Sequence, residues 1–211
     1  MLGFVRACLV MFVLFCTLPV LAESEIGGVY KTKDGSSVGE DIGNLNLLSP
    51  NKTLRLVHRV IQGKSDRKYD HESRVEILDG KGNTLGALDL TSPDNENGYV
   101  VERVGWSPDS KFVVFSTYSS GGHSPWNSKT FFYSSDLNCF GFLDSYLNHP
   151  VVDPNFRIVA PATIHLKVMG KDSDDHVSKR FELGNIVTGA AKIEKDSKKW
   201  LKTSPVAQCG F

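Results

Sequence analysis

The sequence predicts an all-β protein, and three observations carry that prediction. Apolar, β-branched and aromatic segments of strand length recur along the chain, broken by turn residues about every eight to twelve positions. Helical periodicity is nearly absent, and 19 Gly and 9 Pro among 211 residues supply turns throughout. The 12 Phe, 3 Trp and 6 Tyr are enough to fill a sizeable core. Lys and Arg number 24 and Asp and Glu 24, a balance that excludes a basic nucleic-acid binder and an acidic disordered tail.

Residues 1–22 read as a secretory signal peptide. Arg6 precedes an apolar run from Ala7 to Thr17, and Leu18-Pro19-Val20-Leu21-Ala22 ends it with the small residues a signal peptidase accepts, which places cleavage between Ala22 and Glu23. An uncleaved anchor would need roughly 20 apolar residues, and Pro19 breaks this shorter run. A lipid anchor at Cys16 is set aside because Phe15 stands where a small residue is wanted. Residues 23–211 are then one exported β domain with no membrane span, secreted or periplasmic.

The expected strands are 45–48, 54–61, 74–78, 85–90, 99–106, 112–118, 130–133, 140–143, 156–160, 163–168 and 179–183. A single helical turn is expected at 145–148. A C-terminal helix is expected at 190–201, where Ile193, Trp200 and Leu201 form a thin stripe on a lysine-rich segment. The strands fall into three similar units, each with a Pro-containing turn followed by an apolar strand. The turns are Ser49-Pro50-Asn51-Lys52, Ser107-Pro108-Asp109-Ser110-Lys111 and Asp153-Pro154-Asn155. Pro presets the second turn position, and Asp or Asn bonds its own backbone.

The stretch from Val104 to Phe115, with Trp106-Ser107-Pro108-Asp109-Ser110-Lys111 at its centre, resembles the Trp-Ser-Pro-Asp-Gly-Lys signature of WD40-like β-propeller blades, as in TolB and prolyl-oligopeptidase propellers. Ser110 replaces the usual Gly, and the other two units keep only the turn and the strand after it. The resemblance implies three four-stranded antiparallel blades in which Trp106 packs between sheets; it implies no activity. Three blades leave two open faces, because propellers close with four to eight. The alternatives are a twofold assembly of six blades, a monomer capped by its termini, or a collapsed sandwich or barrel. The capped or collapsed monomer is expected, since nothing specifies a dimer's closure.

Cys139 and Cys209 are the two cysteines left after cleavage and pair most simply as a disulfide in an oxidising compartment. Closing a loop of about 70 residues would contribute about 4 kcal/mol by chain entropy. The most unusual local sequence runs from Tyr118 to Ser128, where Tyr118, His123, Trp126 and Asn127 combine stacking surface, a titratable ring and flexible Gly121-Gly122 backbone, the composition of a recognition loop. A serine-hydrolase elbow is missing, because Trp126 breaks Gly122-His123-Ser124-Pro125 at the last position. The segments 94–98 and 172–176 lack the spacing of a calcium loop, and no zinc or phosphate signature occurs. No metal or other cofactor is expected. The reading that follows is a non-enzymatic binding or accessory protein with a protein partner, as monomer or dimer. The alternatives are an exported hydrolase using His123 and Ser124, and a structural envelope component.

Overall fold

A computed structural model describes residues 24–26, 29–31, 37–39, 42–63, 71–95, 97–121, 128–147, 149–172, 175–188 and 202–203. Residues 1–22, read as a signal peptide, residues 190–201, where a helix is expected, and Cys209 lie outside them. The strands are β1 (Ser24–Ile26), β2 (Val29–Lys31), β3 (Ser37–Gly39), β4 (Leu45–Leu48), β5 (Leu54–Gln62), β6 (His71–Asp79), β7 (Thr84–Asp89), β8 (Tyr99–Trp106), β9 (Phe112–Ser119), β10 (Thr130–Ser134) and β11 (Cys139–Phe142). After helix α1 (Leu143–Leu147) come β12 (Arg157–Val159), β13 (Thr163–Met169), β14 (His176–Glu182), helix α2 (Leu183–Thr188) and β15 (Lys202–Thr203).

These strands form three antiparallel sheets, none of them closed. Sheet A has the order β1-β2-β3-β8-β9-β10-β11, sheet B β15-β7-β6-β5-β4 and sheet C β12-β13-β14. Sheet A is the middle layer. Val113, Phe115, Phe131 and Tyr133 on one of its faces pack against Leu56, Val75, Ile77 and Leu88 of sheet B. Phe112, Val114 and Phe132 on the other face pack against Ile164, Leu166 and Val168 of sheet C, together with Leu143 of α1 and Leu183 of α2. Alternate side chains of a strand point to opposite faces, so a strand covered on both sides reads as an unbroken apolar run. Phe112-Val113-Val114-Phe115 in β9 is such a run.

The first two Ser-Pro turns share one geometry. Ser49 N–H donates to the Leu54 carbonyl at 2.9 Å and Lys52 N–H to the Ser49 carbonyl at 2.8 Å; Ser107 and Phe112, then Ser110 and Ser107, repeat both bonds at 2.8 Å. The Ser49 and Ser107 hydroxyls donate to Asn51 at 2.7 Å and Asp109 at 2.6 Å. The fourth residue of each turn is left-handed, with φ of 61° at Lys52 and 64° at Ser110. Glycine suits that conformation best. Ser110 has a compensating contact: its Oγ accepts the Asn51 N–H at 3.0 Å and ties turn to turn across the two sheets. Exposed Lys52 has no such contact, and Lys52→Gly is expected to raise stability by about 0.5 kcal/mol, read as an upward shift in the urea midpoint.

The third unit departs from expectation. Sheet C has three strands, and Asp153-Pro154-Asn155 does not reverse the chain between two of them. Val151 bridges Val168 and Arg157 pairs with His165, so the extended chain on either side of this turn lies along the same side of β13. The turn is a kink in a chain that keeps to one side of β13. Asp153 accepts the Asn155 N–H at 2.8 Å and the Lys167 ammonium at 2.9 Å, while the Pro154 carbonyl accepts the Ser116 hydroxyl of sheet A at 2.8 Å. The reversal falls instead at Ala160-Pro161-Ala162, between β12 and β13. After β14 the chain enters α2, not a fourth strand. The sheets therefore contain seven, five and three strands, not four each.

Candidate functional site

Strand direction alternates along each sheet, which sorts the connections by end. The tight turns 49–53, 80–83, 107–111 and 135–138 fall at one end, and the ends of β5, β7 and β9, which longer connections join to the next strands, at the other. The long-connection end is organised around one carboxylate. Glu72, the second residue of β6, is fully buried and accepts the Ser92 N–H at 2.6 Å, the Ser120 hydroxyl at 3.0 Å and the Gly98 N–H. The Ser92 Oγ also lies 2.7 Å from it, within 2.6 Å of Asp94. Gly98 is required: a Cβ there would overlap the Leu90 carbonyl oxygen and the Glu72 carboxylate. Two connections, β7–β8 and β9–β10, are thereby pinned to the start of one strand.

A second buried network lies beside it. His58 Nδ1 is 2.9 Å from the Gly43 carbonyl oxygen, which can only accept, so the proton sits on Nδ1. His58 Nε2 then accepts the Ser73 hydroxyl at 2.8 Å, and Ser73 Oγ accepts the Val101 N–H at 2.9 Å. Burial holds the His58 pKa below its usual value, which keeps this neutral tautomer. The contact has the form of a nucleophile and its base. Ser73 is 0% exposed and His58 1%, however, so no substrate reaches the pair, and it serves as a polar clamp between sheets B and A.

Of the four residues expected to bind a ligand, Tyr118 is described; His123, Trp126 and Asn127, and Ser124 of the hydrolase alternative, lie outside the described residues. Tyr118 stands opposite Val100 near the end of β9 and is 38% exposed. Both stems of the 122–127 segment are clamped. On the incoming side Ser120 N–H donates to the Gly98 carbonyl at 3.0 Å, besides the bond from its hydroxyl to Glu72. On the outgoing side Ser128 N–H donates to the Val151 carbonyl at 2.8 Å, and Thr130 N–H to Asp144 at 3.0 Å.

Asp144, in the first turn of α1, also accepts the Val151 N–H at 2.8 Å. Burial pushes its pKa up to about 7, against the opposing pull of those two N–H donors. Because the folded pKa lies above the ordinary carboxylate value, Asp144's contribution is fully present below about pH 4 and is lost as pH rises through about 7. His58 acts in the opposite sense: its folded pKa is depressed, so its contribution is lost as pH falls below the usual histidine range. The difference in melting temperature between wild type and Asp144→Asn is therefore expected to shrink steadily from pH 5 to pH 8. A pH-independent difference would remove Asp144 as the titrating group.

Cys139 is 2% exposed and disulfide-bonded. Among the described residues no three His, Cys, Asp or Glu side chains converge as metal ligands. Asp94 instead binds the Asn97 amide at 2.7 Å within its own turn. His165 lies on the outward face of β13, between the buried Ile164 and Leu166. In comparisons with known proteins, no family model matches the chain and no curated protein is found to be related to it.

Proposed function

We propose that this chain is an exported, non-enzymatic binding or accessory protein that recognises a protein partner with the loop between β9 and β10, around Tyr118, His123, Trp126 and Asn127. The observation that carries the reading is the clamping of both stems of that loop, through Ser120 to Glu72 and Gly98 and through Ser128 and Thr130 to Val151 and Asp144. A recognition loop binds with less entropic loss when its base is fixed in advance. The sealing of His58 and Ser73 supports a non-catalytic role. Sheet B's β4–β7 and sheet A's β8–β11 are antiparallel four-strand meanders with matching Ser-Pro turns and Trp106 between them, which supports a blade-like origin for the scaffold. Among the described residues no helix is long and apolar enough to cross a membrane.

The test is affinity capture from envelope extract with the full chain, tagged at its C-terminus and expressed for export, beside a Tyr118→Ala/Trp126→Ala variant of equal melting temperature. One stoichiometric partner held by wild type and lost by the variant is the expected result. Equal capture by both would sink the loop assignment. Turnover of an ester or peptide substrate that disappears in His123→Ala and Ser124→Ala would put the hydrolase reading in its place. Mass analysis of the same preparation is expected to give an N-terminus at Glu23 and a Cys139–Cys209 cross-linked peptide.

A further inference from the structure

The outer face of sheet C carries a feature used by neither the core nor the loop end. Register places Arg157 of β12 opposite His165 of β13, and His165 opposite Arg180 of β14. The three stand in one row on the face away from buried Ile164, Leu166 and Val168. Opposed residues of antiparallel strands have Cβ atoms about 5 Å apart, so the row spans about 10 Å, and like charges so placed repel. None of the three has an ion-pair partner among the described residues. The nearby carboxylates are engaged: Glu182 accepts the Thr163 hydroxyl at 2.5 Å, and Asp153 holds Lys167.

The face is not an unfinished core. Arg157 and Arg180 are exposed, and Thr163, Lys167, Ser178 and Glu182 surround the row. Nor does it fit the opposite end of a second copy. The outer face of sheet B presents Arg55, Arg59 and Arg74, and its Glu76 already pairs with Arg59 at 3.7 Å and Arg74 at 3.2 Å. Two such faces would meet cation to cation.

We infer that the Arg157-His165-Arg180 row docks an acidic protein segment whose carboxylates are spaced as on successive turns of a helix. Adjacent strands lie about 4.8 Å apart, and helical residues three or four apart are separated by about 5–6 Å. Carboxylates at positions i, i+4 and i+7 thus meet the three side chains in turn. An anionic membrane surface fits less well, because Glu182 lies on the same face and none of the surrounding residues is aromatic to insert among lipids.

His165 makes the docking pH-dependent. The groups facing it are Arg157 on β12, Thr163 and Lys167 on β13, and Arg180 and Glu182 on β14. Partial burial first, then Arg180 and Arg157, hold its pKa below the usual value. An incoming carboxylate favours the charged ring, so binding tightens as pH falls through the histidine range.

The experiment uses the whole chain and an alanine-based helical peptide with glutamates at i, i+4, i+7 and i+11 on one face. A peptide of identical composition with its glutamates spread around the helix, and phosphatidylglycerol vesicles, are the other probes. Titration calorimetry in low salt is expected to show binding of the one-face peptide that is tighter at pH 6 than at pH 8. Arg157→Ser/Arg180→Ser is expected to weaken it about tenfold, with a melting temperature at or above wild type because the repulsion is relieved. His165→Gln is expected to bind independently of pH, and Tyr118→Ala to bind as wild type, which separates this surface from the loop. Equal binding of the two peptides, unchanged binding by the double variant, or binding to vesicles alone would each overturn the inference.

Discussion

Trp106→Ala is expected to destabilise the fold by about 3–5 kcal/mol, the range for deleting a large buried aromatic side chain. Trp106 is 1% exposed, and its ring lies in the core shared by sheets A and B. Its indole N–H donates to the Leu47 carbonyl of β4 at 3.3 Å. Trp106→Phe keeps much of the apolar contact and removes that bond, so it is expected to cost clearly less. Urea denaturation followed by far-UV circular dichroism checks both. A loss below about 1 kcal/mol for the alanine variant would place the ring outside the contact between sheets.

Glu72→Ala is the second large effect. It leaves the Ser92 and Gly98 N–H groups buried without their acceptor, at a cost of about 3 kcal/mol or more. Glu72→Gln retains one acceptor oxygen and is expected to lose about half as much. Gly98→Ala attacks the same point from the other side, since the added carbon overlaps the carboxylate. Hydrogen exchange gives the more specific readout. Protection is expected to fall at Ser92, Gly98 and Ser120 before it falls in β9 or β10, because the carboxylate holds the connections and not the sheets. Uniform loss across all strands would mean that Glu72 supports the core as a whole.

Local chemistry was legible in the sequence, and tertiary pairing was not. The Ser49 and Ser107 turns could be read because serine, proline and Asx residues complete their bonds within six positions. The β9 run could be read because burial on both faces leaves no polar alternation. Strands β1–β3 were missed: each has three residues, and pairing with β8 through β3, not composition, makes them strands. β14 likewise begins three residues earlier than expected, at His176, because Met169 pairs with it. Asp153-Pro154-Asn155 was misread as a reversal because one Asx bond serves a kink as well as a turn. Glu72 was missed because its partners lie 20, 26 and 48 residues away. A signal for His58 and Ser73 did exist: strand alternation puts them on the same inward faces as Leu56 and as Val75 and Ile77, a polar pair in an apolar row.

Sheet A is drawn from both sides of sheet B along the chain. β3 ends at Gly39 and its partner β8 begins at Tyr99, with all of β4–β7 in between; β15 returns to β7 from still farther away. The hairpins from β4 to β7 close over short intervals and carry the smallest loop entropy, whereas joining β3 to β8 closes over all four of those strands. During N-to-C synthesis the leading strands therefore emerge without their partner, and the β4–β7 meander of sheet B can form before β8 exists. The order of manufacture and the order of assembly run opposite ways for β1–β3, which makes the β3–β8 junction the step whose delay sets how long an open strand edge is exposed.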